Sequence, residues 1–232
     1  MPHPYTGHIY RSELLAPFCE RLKRKEQSLL LALGDSNTCN TTFTHGAKQW
    51  PELLHSELRD HFGTQAVLLV NSGVSGDCSK MVLERFESTA LRFQPNLTIL
   101  CLGPNDRRLT VAAFRANMME IIDRLQAAGS LVLLRTPTPI MEFKPEPKHL
   151  WRGDDELRAR IEIIRDLASQ RTLAFVDTYA QWWEREESGF VPIGSLMADA
   201  VHTNALGHRE VCRGLLPAFG APIEFAWERS AT

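Results

Sequence analysis

The sequence predicts an α/β fold with a parallel sheet held between layers of helix. The grounds are short apolar blocks that run almost without a polar interruption, helix-period segments between them, and spacing long enough for crossover connections. The blocks are LLLAL (29–33), AVLLV (66–70), LTILCL (97–102), LVLLR (131–135) and LAFVD (173–177). Strict alternation would mark a sheet wet on one face, whereas continuous apolar runs mark strands covered on both. Five such blocks predict a central five-stranded parallel sheet.

The intervening segments carry the helical period. WPELLHSELRDHF puts Trp50, Leu54, Leu58 and Phe62 on one stripe, with Pro51 near its start and Gly63 just past its end. Val111, Phe114, Met118, Ile121 or Ile122, and Leu125 follow the same rule, as do Leu157, Ile161 and Ile164. A last helix is expected over about 205–216, with Asn204 as N-cap. The prolines of TPTPIMEFKPEPKHLWRGDD (136–155) discourage a regular element. Residues 1–27 read as an N-terminal extension with one short amphipathic helix over roughly 12–24, and residues 28–232 as a single domain.

Composition narrows the function. The chain has 232 residues, 44% of them hydrophobic, and a net charge of −2, which gives no electrostatic footprint for nucleic acid or an anionic membrane. Cys19, Cys39, Cys78, Cys101 and Cys212 are odd in number and lack CxxC spacing, so neither a disulfide framework nor a zinc ribbon is expected. With no signal-peptide-like start and no apolar run of membrane-spanning length, a cytoplasmic protein without membrane insertion is expected.

The chemistry-bearing residues gather where parallel strands end, which is where open α/β sheets bind ligands. Gly34-Asp35-Ser36-Asn37 follows the first block, NSGVSGDCS (71–79) the second, and Gly103-Pro104-Asn105-Asp106 the third. Asp199-Ala200-Val201-His202 precedes the last helix. A serine hydroxyl is a poor nucleophile until a base takes its proton, and His202 is the side-chain type suited to that near neutral pH. Asp199 can fix the imidazole tautomer. The N–H groups of Ser36 and Gly76 and the side-chain amide of Asn105 can supply oxyanion donors. Asp35, Asp77 and Asp106 are expected to anchor the loops.

These blocks resemble those of the SGNH (GDSL-type) hydrolase family: GDSN its first, NSGVSGD its second, GPND its third and DAVH its last. The resemblance runs from Leu29 to about Leu216 with the blocks in order. It implies a flavodoxin-like three-layer α/β/α sandwich, Ser36 as nucleophile, His202 as base and Asp199 as its partner. It likewise implies an oxyanion hole of Ser36, Gly76 and Asn105, with no cofactor and no metal. The sequence departs from the family pattern in Asn37, where leucine is usual, although leucine is replaced widely in the carbohydrate-esterase branches. It departs again in Thr203, where proline is usual, and Pro104 fills the variable position of the third block.

Singly, each residue has a plainer reading. Ser36 can cap a helix, Asn105-Asp106 can be a turn, Gly73 is expected to be a turn glycine without ligand duty, and Asp199 with His202 can be a surface pair. Asp35, Asn37, Cys39, Cys78 and Arg107 are candidates for the pocket wall. His45 reads as a polar loop histidine rather than a pocket residue, His208 reads as structural or solvent-facing, and Asp199, His202 and His208 lack a fourth ligand for a metal. Trp182 and Trp183 read as packing residues. The expected activity is hydrolysis of a small-molecule ester, with a short acyl group on a carbohydrate or other small alcohol. The lysophospholipase or thioesterase of the same family is the alternative. In a different class, SNTCNT (36–41) resembles the flavodoxin phosphate loop, S-x-T-G-x-T, with Cys39 in place of its glycine.

Overall fold

In the computed structural model, which describes residues 7–39, 41–141 and 155–229, the apolar blocks form the predicted strands. They are β2 (Ser28–Gly34), β3 (Val67–Asn71), β4 (Leu97–Cys101), β5 (Leu131–Arg135) and β6 (Ala174–Val176). A sixth strand, β1 (Ile9–Tyr10), was not anticipated. The sheet order is β1-β6-β5-β4-β2-β3, parallel throughout except that β1 pairs antiparallel with β6, Ile9 opposite Val176. The expectation of five parallel strands is therefore corrected to a mixed sheet of six. Two residues are too few to show a period, and the partner of β1 lies far away in the chain.

The helices are α1 (Ala16–Lys23), α2 (Ser36–Cys39), α3 (Trp50–His61), α4 (Ser79–Glu84), α5 (Phe86–Thr89), α6 (Val111–Ala127), α7 (Asp155–Gln170), α8 (Thr178–Glu187), α9 (Ala205–Leu215) and α10 (Ala226–Arg229). Local chemistry sets several of their ends. Gln49 and Glu52 form a reciprocal capping box on α3, the Thr110 side chain caps α6 at Ala113 N–H, and Asn204 caps α9 at Gly207 N–H. The helix expected over 12–24 is a 3₁₀ turn, Ser12–Leu15, running into α1. Of the irregular stretch 136–155, residues 142–154 lie outside the described residues. Among the described residues no helix is long and apolar enough to cross a membrane.

Strand side chains alternate between faces, so each apolar block feeds two cores. From β2, Leu30 and Ala32 join Trp50, Leu54 and Leu58 of α3, Phe18 and Leu22 of α1, and Val211 and Leu215 of α9. Leu31 and Leu33 join Phe114, Met118 and Ile122 of α6 and Ile163, Ile164 and Leu167 of α7 on the other side. Trp182 of α8 belongs to the first core. This is the three-layer α/β/α arrangement. The order β4-β2-β3 sets the turns after the first three parallel strands side by side along one edge.

Two contacts tie the layers to that edge. Gly73, beyond β3, lies against α2: a Cβ there would stand 2.8 Å from Thr38 Cβ and 2.9 Å from Cys39 Cβ. The glycine is a close-approach requirement as much as a turn residue. On the other side, His208 of α9 is buried beneath α3 and accepts the Trp50 backbone N–H at Nδ1, 3.3 Å away. Burial, helped by the positive charge of Arg135, pushes the His208 imidazole down to about 3.

Gly73→Ala is expected to destabilise the protein by about 1–3 kcal/mol through overpacking, measurable by denaturant titration. His208 stays neutral in the fold down to about pH 3, while an unfolded histidine binds a proton near pH 6.5. The unfolded chain thus holds the extra proton in between, and stability falls as pH drops through that window. Between pH 6.5 and 5 the wild type should lose about 2 kcal/mol more than His208→Gln, whatever the two stabilities at pH 7.

Candidate active site

Where β2 ends, the chain turns sharply. Asp35 accepts Asn37 N–H at its carboxylate (2.9 Å) and Thr38 N–H at its carbonyl (2.9 Å), which starts the short helix α2 at Ser36. Asp35 is 3% exposed, and burial pulls its carboxyl up to about 6 against the opposing pull of the Asn37 N–H and the charge of Arg135. The residue lies beneath the turn, and its carboxylate works as a loop anchor. Ser36, held on that turn, is 5% exposed.

The Asp199–His202 loop faces this serine. Asp199 Oδ1 accepts the N–H groups of Val201 and His202, both at 2.7 Å, and Oδ2 meets His202 Nδ1 at 2.8 Å. A carboxylate in this position can only accept, so Nδ1 carries the proton and Nε2 presents a lone pair. That lone pair lies 3.1 Å from Ser36 Oγ, whose O–H donates to it. Desolvation works to raise the Asp199 carboxyl, but the two backbone N–H groups and the imidazole outweigh it and hold the group below the usual carboxylate range. An isolated bridge between Met197 and Thr203 closes the loop, with Ala198 N–H bonded to His202 O at 2.8 Å.

Phe43 stacks flat on the His202 ring, centroids 3.7 Å apart and planes 7° from parallel. The sequence reading missed it. Its only signal was one apolar side chain among the polar residues of Thr41–Thr44, where no periodicity marks a partner.

The second and third turns converge beside the first. Gly76 adopts φ +83° in the turn Val74–Asp77, closed by Asp77 N–H to Val74 O at 3.1 Å, a position that favours glycine. Val74 N–H bonds Gly34 O at 3.1 Å and joins this turn to the serine turn. Asn105 Nδ2 donates to Asp77 O at 3.0 Å, which orients the amide and leaves it a further N–H to offer. Arg85 Nε holds the Asp77 carboxylate at 2.6 Å. Asp106 Oδ1 accepts both the N–H and the hydroxyl of Ser79, at 2.9 and 2.6 Å, and burial raises its carboxyl. Asp35, Asp77 and Asp106 thus each tie down a loop.

The remaining wall candidates are dispersed. Asn37 turns toward the His202 loop, its Nδ2 donating to Val201 O at 3.1 Å. Cys39 and Cys78 are half-buried thiols outside any disulfide, and Cys78 stands at the N-cap of α4. Burial and then the Asp35 charge raise the Cys39 thiol, the opposite of what a thiolate nucleophile needs. Arg107 and Arg108 are exposed beyond Asn105, and His45 is exposed just after the 3₁₀ turn Thr41–Thr44.

A hydroxyl bonded to an imidazole that is itself bonded to a carboxylate, beside a positive-φ glycine turn and an oriented amide, is an arrangement suited to acyl transfer. Residues 32–210 match the GDSL-like Lipase/Acylhydrolase family. An arylesterase from Vibrio mimicus is 29% identical over 140 residues, 60% of this chain and 66% of that protein. An acetylxylan esterase from Geobacillus stearothermophilus is 22% identical over 176 residues, 71% of this chain and 75% of that one. Among solved structures, Axe2, an acetylxylan esterase from Geobacillus stearothermophilus, has the same fold, with a TM-score of 0.71 at 19% identity over 88% of this chain and 99% of that one. With more than half its length matched, this chain belongs to the GDSL-like lipase/acylhydrolase family, and with it to the carboxylic ester hydrolases.

Proposed function

We propose that the protein hydrolyses short acyl esters, acetyl above all, of a carbohydrate or other small alcohol, with Ser36 as nucleophile, His202 as base and Asp199 as its orienting partner. The observation that carries this reading is the unbroken chain from Asp199 Oδ2 through His202 to Ser36 Oγ, at 2.8 and 3.1 Å. Ser36 Oγ attacks the ester carbonyl while Nε2 takes its proton. The new C–O bond leaves a tetrahedral oxyanion for the N–H groups of Ser36 and Gly76 and the Asn105 amide. His202 then protonates the departing alcohol, and water, deprotonated by the same nitrogen, repeats the attack on the acyl-enzyme. Asp199, held ionised by its N–H donors, stabilises the imidazolium at each step.

The choice of a short acyl group on a sugar is supported by the acetylxylan esterase relative. The lysophospholipase or thioesterase of the same family is the reading it competes with. The flavin-phosphate reading of the 36–41 stretch loses its ground with the family membership, because it leaves Asn105, Asp199 and His202 unused.

Hydrolysis of p-nitrophenyl esters from acetate to palmitate is expected to peak at acetate or butyrate. A maximum at long chains would move the substrate to the lysophospholipase or thioesterase class. Ser36→Ala and His202→Ala should each lower kcat by roughly four to six orders of magnitude, and the double variant should lose little more. Asn105→Ala should lower kcat by about two to three orders with KM nearly unchanged, since its amide is aimed at charge that develops in the transition state.

A further inference from the structure

The two departures from the family pattern, Asn37 and Thr203, meet in the fold. Asn37 Oδ1 accepts Thr203 N–H at 3.0 Å and lies 3.2 Å from Thr203 Oγ1, while Asn37 Nδ2 donates to Val201 O at 3.1 Å. One amide therefore grips the backbone on both sides of His202. Asn37 directly follows Ser36 and Thr203 directly follows His202, so the contact spans the nucleophile and its base with one residue on each side.

The polarity of the contact is determined at every link. Trp50 N–H can only donate, so His208 Nδ1 accepts it (3.3 Å) and Nε2 carries the proton. That proton goes to Thr203 Oγ1 at 3.0 Å, which frees the threonine proton for Asn37 Oδ1. Trp50 Nε1 closes the circuit on Asn37 O at 3.1 Å. Thr203 and His208 are each 1% exposed, so water does not compete for these bonds. Leucine and proline, the family's usual pair, offer neither the acceptor nor the donors. Asparagine and threonine are complementary halves of one contact.

We propose that Asn37 and Thr203 are positioning residues that clamp the His202 loop onto the serine turn and set the Ser36–His202 approach. This rests on the roles assigned to Ser36 and His202 above. With one half removed, a buried donor or acceptor is stranded and the loop can drift, and a misplacement of about 1 Å costs on the order of a hundredfold in rate. With both halves altered, the second loss largely repeats the first.

The test measures kcat and KM on p-nitrophenyl acetate for Asn37→Leu, Thr203→Val, the double variant and Asn37→Asp, all at a temperature where circular dichroism shows them folded. The rate at which a p-nitrophenyl phosphonate modifies Ser36 is measured in parallel. Asn37→Leu is expected to lower kcat about ten- to a hundredfold with KM within about twofold, and phosphonylation should slow in step. Thr203→Val should lose less, and the double variant should lose clearly less than the product of the two. Asn37→Asp keeps the acceptor for Thr203 and should fall between wild type and Asn37→Leu. Wild-type kcat and phosphonylation in folded Asn37→Leu would overturn the clamp, as would losses that multiply independently or appear only in KM. If Asn37→Leu does not fold, Asn37→Ala is measured in its place, and wild-type rates in Thr203→Val together with Asn37→Asp losing as much as Asn37→Ala overturn it. Ser36→Ala separates the two ideas: full activity there ends the proposed function, whereas a dead Ser36→Ala with an unaffected clamp pair ends only this inference.

Discussion

The serine turn and the two turns beside it hang from β2, a strand whose residues 30–34 are all buried. Leu30, Leu31, Ala32 and Leu33 are completely buried, two into each helix layer, between β3 and β4 as parallel neighbours. A slip of one residue would send each of these side chains into the wrong core, so the register is strongly specified. That register determines where Gly34 ends the strand and therefore where Ser36 stands. The neighbouring turns at Gly76 and Asn105 follow, because β3 and β4 take their position from β2.

Carboxylates do the tightening at this edge, and their environments differ. Asp35 is buried, and its carboxyl is pushed up to about 6. Between its ordinary value and about 6 the folded chain holds a proton that the unfolded chain has released, so on this account the fold loses stability as pH rises through that window. The residue works against the fold near neutrality while its oxygens shape the turn that carries Ser36. Such local strain is tolerated at functional sites when the surrounding packing determines the structure. Asp199 is the reverse case. It is half-exposed and rich in N–H donors, and it is held below the usual range. Two acids within one constellation are thus driven apart by their surroundings, one toward structure and one toward a permanent negative charge behind the imidazole.

The site also shows how departures from a family pattern can be read. Asn37 and Thr203 each look like an isolated change when met along the chain. In the fold they satisfy one another, and the chain of bonds continues through His208 to the N-terminus of α3. A helix layer, the serine turn and the histidine loop become one hydrogen-bonded unit, and His208, which reads along the sequence as a structural or solvent-facing residue, lies in its interior.

Much of this was legible in one dimension because the physics is local. Continuous apolar runs such as 29–33 and 97–102, short and separated by helix-period segments, read as strands covered on both faces. The stripe Trp50-Leu54-Leu58 repeats at the helical period and reads as one face of a helix, and Ser36, Gly76 and Asn105 fall at strand ends by simple order along the chain. What the sequence left undecided were relations between distant segments that have no period. The strand Ile9–Tyr10 exists because β6 offers an edge to pair with. Phe43 meets His202 only once the two loops are folded together. The need for glycine at Gly73 comes from α2 crossing it at van der Waals distance, and the bond between Asn37 and Thr203 joins residues whose separation along the chain says nothing of their contact. Backbone pattern and residue order are written in neighbours, but side-chain contact across turns is decided by packing, and packing exists only in the folded molecule.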